Sequence, residues 1–324
     1  MGWTRRDALL GATLFSAAGW GFAARAMAAD APAPAPFKLE DLGHGVFAGI
    51  DIDGHAGSNA GFVIGDDGVL VVDTYYAPNA APALLAEIRK RTDKKIRYVV
   101  NTHYHIDHVS GNATFKAEGA TIVAQRNVAA WIHAENPKFY GDKITPEQRA
   151  AIAAIPAPTM LVDKRATLKL GKRMIEVVER PGHTGGDVTV AIPDAKVLFC
   201  GDLLWREIPP NLIDGTVSKW IPTLQAIETA PHAAELTYVP GHGGIAKLSD
   251  VTEFRGYLEA LRDATKVAMA HGLSGDTLNK AVIEQLTPRY GSWPYFARSV
   301  PREVGYMKGE LDGTKHWPQP QTAR

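Results

Sequence analysis

Residues Asn101-Thr102-His103-Tyr104-His105-Ile106-Asp107-His108 place four metal-ligating side chains within six positions. They follow the apolar, β-branched run Ile96-Arg97-Tyr98-Val99-Val100, which reads as a buried strand ending in this loop. On an extended backbone, positions 103, 105 and 107 share a face, so His103, His105 and Asp107 converge while His108 approaches from another side. That layout suits two adjacent cations, with His103 and His105 on the first and Asp107 and His108 on the second. Imidazole with carboxylate is a ligand set for zinc, with iron and manganese as the other ions it accepts. The competing reading is a His-rich surface turn, and it is weighed by whether further ligands follow.

Working outward, short strands precede this stretch at 46–50, 61–64 and 69–73, followed by a helix at 80–91, so the order is α/β. The Gly-rich loop 51–59 reads as a flap over the site or as a plain hairpin connection. Asp73 ends an apolar run, where a carboxylate needs a partner. It is read as supporting a metal-bound His from behind, with a helix N-cap as the bland alternative. Downstream, 109–116 reads as one short helix, 121–124 as a strand, and 126–155 as a helical excursion on the substrate rim. Strands resume at 159–162, 166–170 and 174–178.

The later ligands follow in order. His183 sits in Arg180-Pro181-Gly182-His183-Thr184-Gly185-Gly186-Asp187, a frame that turns sharply and presents the ring at a strand end, as third imidazole for the first ion. The run Val197-Leu198-Phe199-Cys200 enters Gly201-Asp202, whose carboxylate has two oxygens with which to bridge two cations. Cys200 reads as a buried strand residue. After a helix at 217–229 and a strand at 236–239, Pro240-Gly241-His242 supplies the remaining imidazole for the second ion. A long amphipathic helix at 251–272 and two further helical stretches to about 311 complete the chain.

Composition narrows the function. The 324 residues carry 35 basic and 35 acidic side chains and no Lys/Arg run, so there is no electrostatic footprint for nucleic acid. An apolar content of 45% supports a sizeable core, and the single Cys200 forms no internal disulfide. Residues 1–28 read as an export signal: Thr4-Arg5-Arg6-Asp7-Ala8-Leu9 resembles the twin-arginine pattern, an apolar segment follows, and Ala26-Met27-Ala28 offers a cleavage site. The expectation is a periplasmic protein with no stable membrane insertion after cleavage. Residues 29–39 read as an Ala/Pro tether, 40–272 as the catalytic domain and 273–324 as a helical tail packed on it.

Asp73, His103-x-His105-x-Asp107-His108, His183, Gly201-Asp202 and Gly241-His242, in that order, resemble the metallo-β-lactamase fold superfamily across roughly residues 40–272. The resemblance implies a four-layer αβ/βα sandwich, extended here by C-terminal helices, with two zinc ions at one edge. It places His103, His105 and His183 on one ion, Asp107, His108 and His242 on the other, and Asp202 between them. Asp202 is the feature by which thioester, lactone and nuclease members differ from the dinuclear lactamases. The implied activity is hydrolysis of a small molecule, a metal-bound hydroxide opening a cyclic amide, lactone or (thio)ester, with β-lactams among the candidates. Asp107, which orients the nucleophile, and His242 are the catalytic assignments. The alternative is an iron-dependent, persulfide-dioxygenase-like oxidoreductase on the same fold; a binding protein that has lost catalysis is the third reading. Oligomeric state has no signal in the sequence.

Overall fold

Alternation along each strand decides which way its side chains face. In β4 (Val69–Val72), Leu70 and Val72 point to one side and Val69 and Val71 to the other, and all four are buried. A strand covered on both faces needs a layer on each side. The computed structural model of the chain describes residues 35–319 and supplies those layers. The export signal and the tether up to residue 34 lie outside the described residues.

The first sheet has the order β1 (Phe37–Asp41), β2 (Val46–Asp51), β3 (Ala60–Ile64), β4, β5 (Ile96–Val100), β6 (Thr121–Gln125) and β7 (Met160–Val162). It is antiparallel from β1 to β4 and parallel from β4 to β7. The second sheet runs β12 (Thr237–His242), β11 (Val197–Trp205), β10 (Val188–Ile192), β9 (Arg173–Glu179) and β8 (Arg165–Leu170), with only the β11–β12 pair parallel.

Between the sheets, Val46, Val63, Leu70, Val72, Val100 and Val123 meet Leu168, Ile175, Val177, Val190, Phe199 and Val239. At about 1.5–3 kcal/mol for each large aliphatic side chain taken from water, this shared face is what holds the sheets together. The outer face of the first sheet is covered by α1 (Ala80–Arg89), through Ala80, Leu84 and Ile88, and by α3 (Asn112–Ala117), through Phe115. On the second sheet, Leu198 and Cys200 of β11 pack under α6 (Val217–Glu228), α7 (Leu248–Ala270), α8 (Gly275–Tyr290) and α9 (Phe296–Leu311). These are the four layers of an αβ/βα sandwich, with α8 and α9 as C-terminal helices.

Several local readings are corrected. Phe37–Leu39 is not tether: it belongs to β1, whose Phe37 side chain is buried and stacks on Tyr75. β10 is an additional strand, carrying the same alternation of buried Val188, Val190 and Ile192 as its neighbour β9. The helix expected over 109–116 is two, α2 (Ile106–Val109) and α3, broken where Gly111 lies so close to Thr74 that a Cβ there would stand 2.2 Å from its carbonyl oxygen. The excursion at 126–155 holds α4 (Val128–Ala134), a 3-10 segment (Asn136–Lys143) and α5 (Pro146–Ala153), the last started by a Thr145–Gln148 capping box.

Candidate metal centre

β5 ends at Val100 and hands the chain to a short loop, in which His103 lies in a bend and His105 on extended backbone. His105 then serves as N-cap of α2. Asp107 and His108 therefore sit on the first turn of a helix, and with His103 in a bend the strand alternation expected over 103–107 is not what brings these side chains together. His183 stands in the loop between β9 and β10, Asp202 within β11 and His242 at the end of β12. The seven candidate ligands come together in two groups: His103, His105, His183 and Asp202 in one, Asp107, His108 and His242 in the other. Within each group one ligand atom per residue lies within 4.8 Å of the others.

Asp202 touches both groups, one oxygen to each. Its Oδ2 lies 3.1 Å from His183 Nε2 and 3.8 Å from His103 Nε2, and its Oδ1 lies 3.0 Å from His108 Nε2 and 3.4 Å from His242 Nε2. Asp107 Oδ2 completes the second group, 3.3 Å from His242 Nε2 and 3.6 Å from His108 Nε2. That second group faces solvent, with the Asp107 side chain 25% exposed and His242 15%, while the other five are buried.

Asp73 supports the centre from behind and is no N-cap: α1 begins at Asn79 instead. Its carboxylate accepts from Thr102 N at 2.7 Å, from Thr102 Oγ1 at 2.7 Å and from His108 Nδ1 at 2.9 Å. Because Thr102 Oγ1 donates to Asp73, it is left to accept from His103 Nδ1, 3.1 Å away. One carboxylate thus places the proton on Nδ1 of both His103 and His108 and turns both Nε2 lone pairs inward. A second buried carboxylate, Asp214, does this for His105. It accepts from His105 Nε2 at 3.0 Å, which leaves Nδ1 facing His183 Nε2 at 2.9 Å. Sequence reading missed Asp214, which lies in Asn211-Leu212-Ile213-Asp214-Gly215, where an Asp reads as a turn residue.

The donor set fits a pair of cations. His103 Nε2, His108 Nε2, His242 Nε2 and Asp202 Oδ1 are all buried and make no hydrogen bond among the described residues, a costly arrangement unless something positive lies between them. Burial pushes His103 and His105 toward the neutral form in which an imidazole binds metal. Burial acts the same way on His108 and His242, but Asp202 and Asp107 outweigh it, raising His108 well above its ordinary value and His242 to about 9. Asp202 is held far below the usual carboxylate range by the imidazoles around it, against its burial. A cation held by the second group would take the place of those protons.

The surroundings are aromatic. Trp205 stacks on His242 with centroids 3.9 Å apart, and the Phe139 ring lies 4.9 Å from that of His105. Tyr76 and Tyr140 share a hydroxyl contact of 2.9 Å. Trp220 by contrast is core, its indole N–H donating to Leu203 O. The loop 51–59 is tied down at its C-terminal half: Ser58 Oγ donates to Asp107 O at 2.6 Å, and Asn59 Nδ2 donates to Pro240 O and Gly243 O. It braces the site, as a hairpin connection does, with His55 exposed at its tip. His133 bonds the Ile155 carbonyl, and neither it nor His44, His55, His232, His271 or His316 joins either ligand group.

With that geometry in place, the comparisons with known proteins bear on it directly. The family profile of the metallo-beta-lactamase superfamily matches residues 53–242, and the chain belongs to that superfamily. Among curated proteins it is 29% identical over 174 residues to a hydroxyacylglutathione hydrolase of Brucella anthropi, covering 53% of this chain and 57% of the relative. With the enzyme of that name from Brucella ovis it shares 30% identity over 173 residues, covering 53% and 58%. The chain thus spans little more than half the length of the curated relatives it matches. Similar solved folds include a metallo-beta-lactamase from Pontibacter korlensis, with TM-score 0.57, 22% identity, and coverage of 69% of this chain and 99% of that one. The DIM-1 metallo-beta-lactamase gives TM-score 0.55 at 22% identity, covering 69% and 97%. No helix among the described residues is long and apolar enough to cross a membrane.

Proposed function

We propose that the chain is a zinc-dependent hydrolase that binds two ions and opens the thioester, lactone or cyclic amide bond of a small molecule. The observation that carries this reading is Asp202, with one carboxylate oxygen turned to each ligand group at 3.0–3.4 Å from the nearest imidazoles of both. A bridging carboxylate lets two cations lie close enough to act on one bond. When bound, the pair supplies Lewis acidity that makes water nucleophilic near neutral pH and polarises a carbonyl. Asp107 lies on the open side of the second group, where its carboxylate would help hold the second ion and orient the attacking water. Trp205 and Phe139 stand against His242 and His105, so apolar rings border both ligand groups. The curated relatives, hydroxyacylglutathione hydrolases by name, support the thioester member of the substrate class.

Metal analysis of purified protein tests this, followed by assay on a panel of thioesters, lactones and β-lactams. Two zinc ions per chain and turnover of a thioester or lactone are expected, with His242→Ala reducing turnover at least a hundredfold through loss of metal-based stabilisation worth several kcal/mol. One iron per chain with oxygen consumption on a persulfide would overturn the hydrolase reading in favour of an oxidoreductase. We further propose export to the periplasm, supported by the twin-arginine-like stretch at 4–9 and the small-residue site at 26–28. Cell fractionation checks this; retention of an Arg5→Lys, Arg6→Lys variant in the cytoplasm is the expected result.

A further inference from the structure

Asp214 lies in the loop between β11 and α6, buried beneath the first ligand group, and is held by residues distant in sequence. Its Oδ2 accepts from His105 Nε2 at 3.0 Å and from the Tyr104 hydroxyl, and its Oδ1 accepts from Lys138 Nζ at 2.6 Å. Lys138 belongs to the excursion at 126–155 and also donates to the Tyr104 hydroxyl, so the carboxylate is fixed from the insertion side. Nothing in that set holds the backbone of the loop.

The backbone is held by the C-terminal segment. Lys315 Nζ donates to Leu212 O at 2.7 Å and to Gly215 O at 2.5 Å, the two carbonyls that bracket Asp214. Trp317 Nε1 donates to the same Gly215 O at 3.1 Å. The Glu310 carboxylate accepts from Val217 N at 2.8 Å and Ser218 N at 2.9 Å, closing the start of α6, and Thr216 N bonds Gly182 O beside His183. The same segment reaches the insertion, where Trp131 Nε1 donates to Gln319 O at 3.0 Å. The superfamily match ends at residue 242, so the strap lies outside the matched region.

We infer that residues 310–319 form a positioning element of the metal centre: Lys315 and Trp317 fix the loop that carries Asp214, and Asp214 fixes the tautomer and direction of His105. This rests on the dinuclear metal reading above. The physical reason is that an imidazole presents Nδ1 to a cation only if Nε2 keeps its proton, and the carboxylate that accepts that proton's hydrogen bond must stay within about 3 Å. A loop freed from its two lysine bonds lets Asp214 turn toward water. His105 then loses its orientation, while the second group keeps its own supports: His108 on Asp73, the Asp107 backbone on Ser58, and His242 against Trp205.

The test uses the full-length protein loaded with zinc, and separately with cobalt for its absorption spectrum, with affinities taken from chelator competition. Asp214→Asn should weaken one of the two ions about 10–100-fold and leave the other unchanged, the range seen when such outer partners are removed. Lys315→Met, and Trp317→Phe as a milder change that keeps the ring, should weaken the same ion in the same direction by less, alter the cobalt spectrum, and shift the downfield proton signal of His105 Nε2–H. If both tail variants bind two ions as tightly as the unaltered protein with an unchanged spectrum, the tail is plain packing and the inference falls. Equal weakening of both ions together with a lowered melting temperature of the ion-free variants overturns it as well, since that is global destabilisation. Failure of the unaltered protein to bind two ions is seen before any variant is made; it strikes the metal reading itself and takes this inference with it.

Discussion

At the scale of single residues the centre is organised by carboxylates that stand behind the imidazoles. Asp73 stands at φ +57°, an unusual backbone for a residue other than glycine, and from there reaches Thr102 and His108 together. Asp73→Asn removes an acceptor that fixes two imidazole tautomers. We expect zinc affinity to fall about 10–100-fold in the solvent-facing group, through His108, and to fall less in the other, through Thr102 and His103, read by chelator competition with the folded structure retained. Unchanged affinity would show that the histidines orient themselves. Gly241 has a different role, since a Cβ there would stand 1.9 Å from Asp202 Oδ1 and 2.8 Å from Asp202 N. Neither atom can retreat without moving the Asp202 carboxylate from between the two ligand groups, so Gly241→Ala should abolish binding of at least one ion, measured by metal content after dialysis. Two ions retained would refute the bridging role of Asp202. The glycine is legible in the sequence, but its reason, the parallel pairing of β11 and β12 that brings Gly241 over Asp202, is not.

At the scale of elements, strand and helix periodicity located most of the architecture and failed where neighbours decide. β1 reads Phe37-Lys38-Leu39-Glu40-Asp41, a largely polar edge strand that reads as linker until β2 is there to pair with it. α2 and α3 separate because Gly111 must pass Thr74, a contact between distant positions. α7, α8 and α9 share one core with β11 and α6, in which Tyr257, Tyr290 and Trp293 cluster. Glu303 of α9 is buried there beside the Tyr257 hydroxyl, and burial pushes its carboxyl up to about 8. Below about pH 4, near its unfolded pKa, both states are protonated and the residue has no pH-dependent effect. As pH rises toward 8 the unfolded chain releases the proton while the folded chain keeps it, so stability falls, on the order of a few kcal/mol in all. Glu303→Gln should therefore raise the melting temperature at pH 8 and change it little at pH 4.5, as followed by circular dichroism. An equal shift at both pH values would mean the carboxyl is not held neutral.

At the scale of the whole molecule, the ligands hang from both sheets at one edge: His103 and His105 follow β5, and His183, Asp202 and His242 belong to the ends and interior of the second sheet. Cations bound between them would therefore tie the two halves together. Ions that bind only the folded chain stabilise it by about 4 kcal/mol at a free concentration a thousandfold above Kd. Treatment with a strong chelator should lower the melting temperature by several degrees, and added zinc should restore it; no change in calorimetry would place any bound ions elsewhere. The sequence by itself determined the seven candidate ligands, their order along the chain and the α/β succession, because those depend on residue type and on spacing within a few positions. Tertiary structure alone decided that Asp107 and His108 approach from a helical turn, that Asp73 governs both His103 and His108, and that Asp214, Lys138 and Lys315 stand behind His105. A hydrogen bond between positions 109 apart, such as His105 to Asp214, leaves no periodic trace in the chain. It exists only because packing two sheets and their helices brings those groups within 3.0 Å, in a place from which water has been removed.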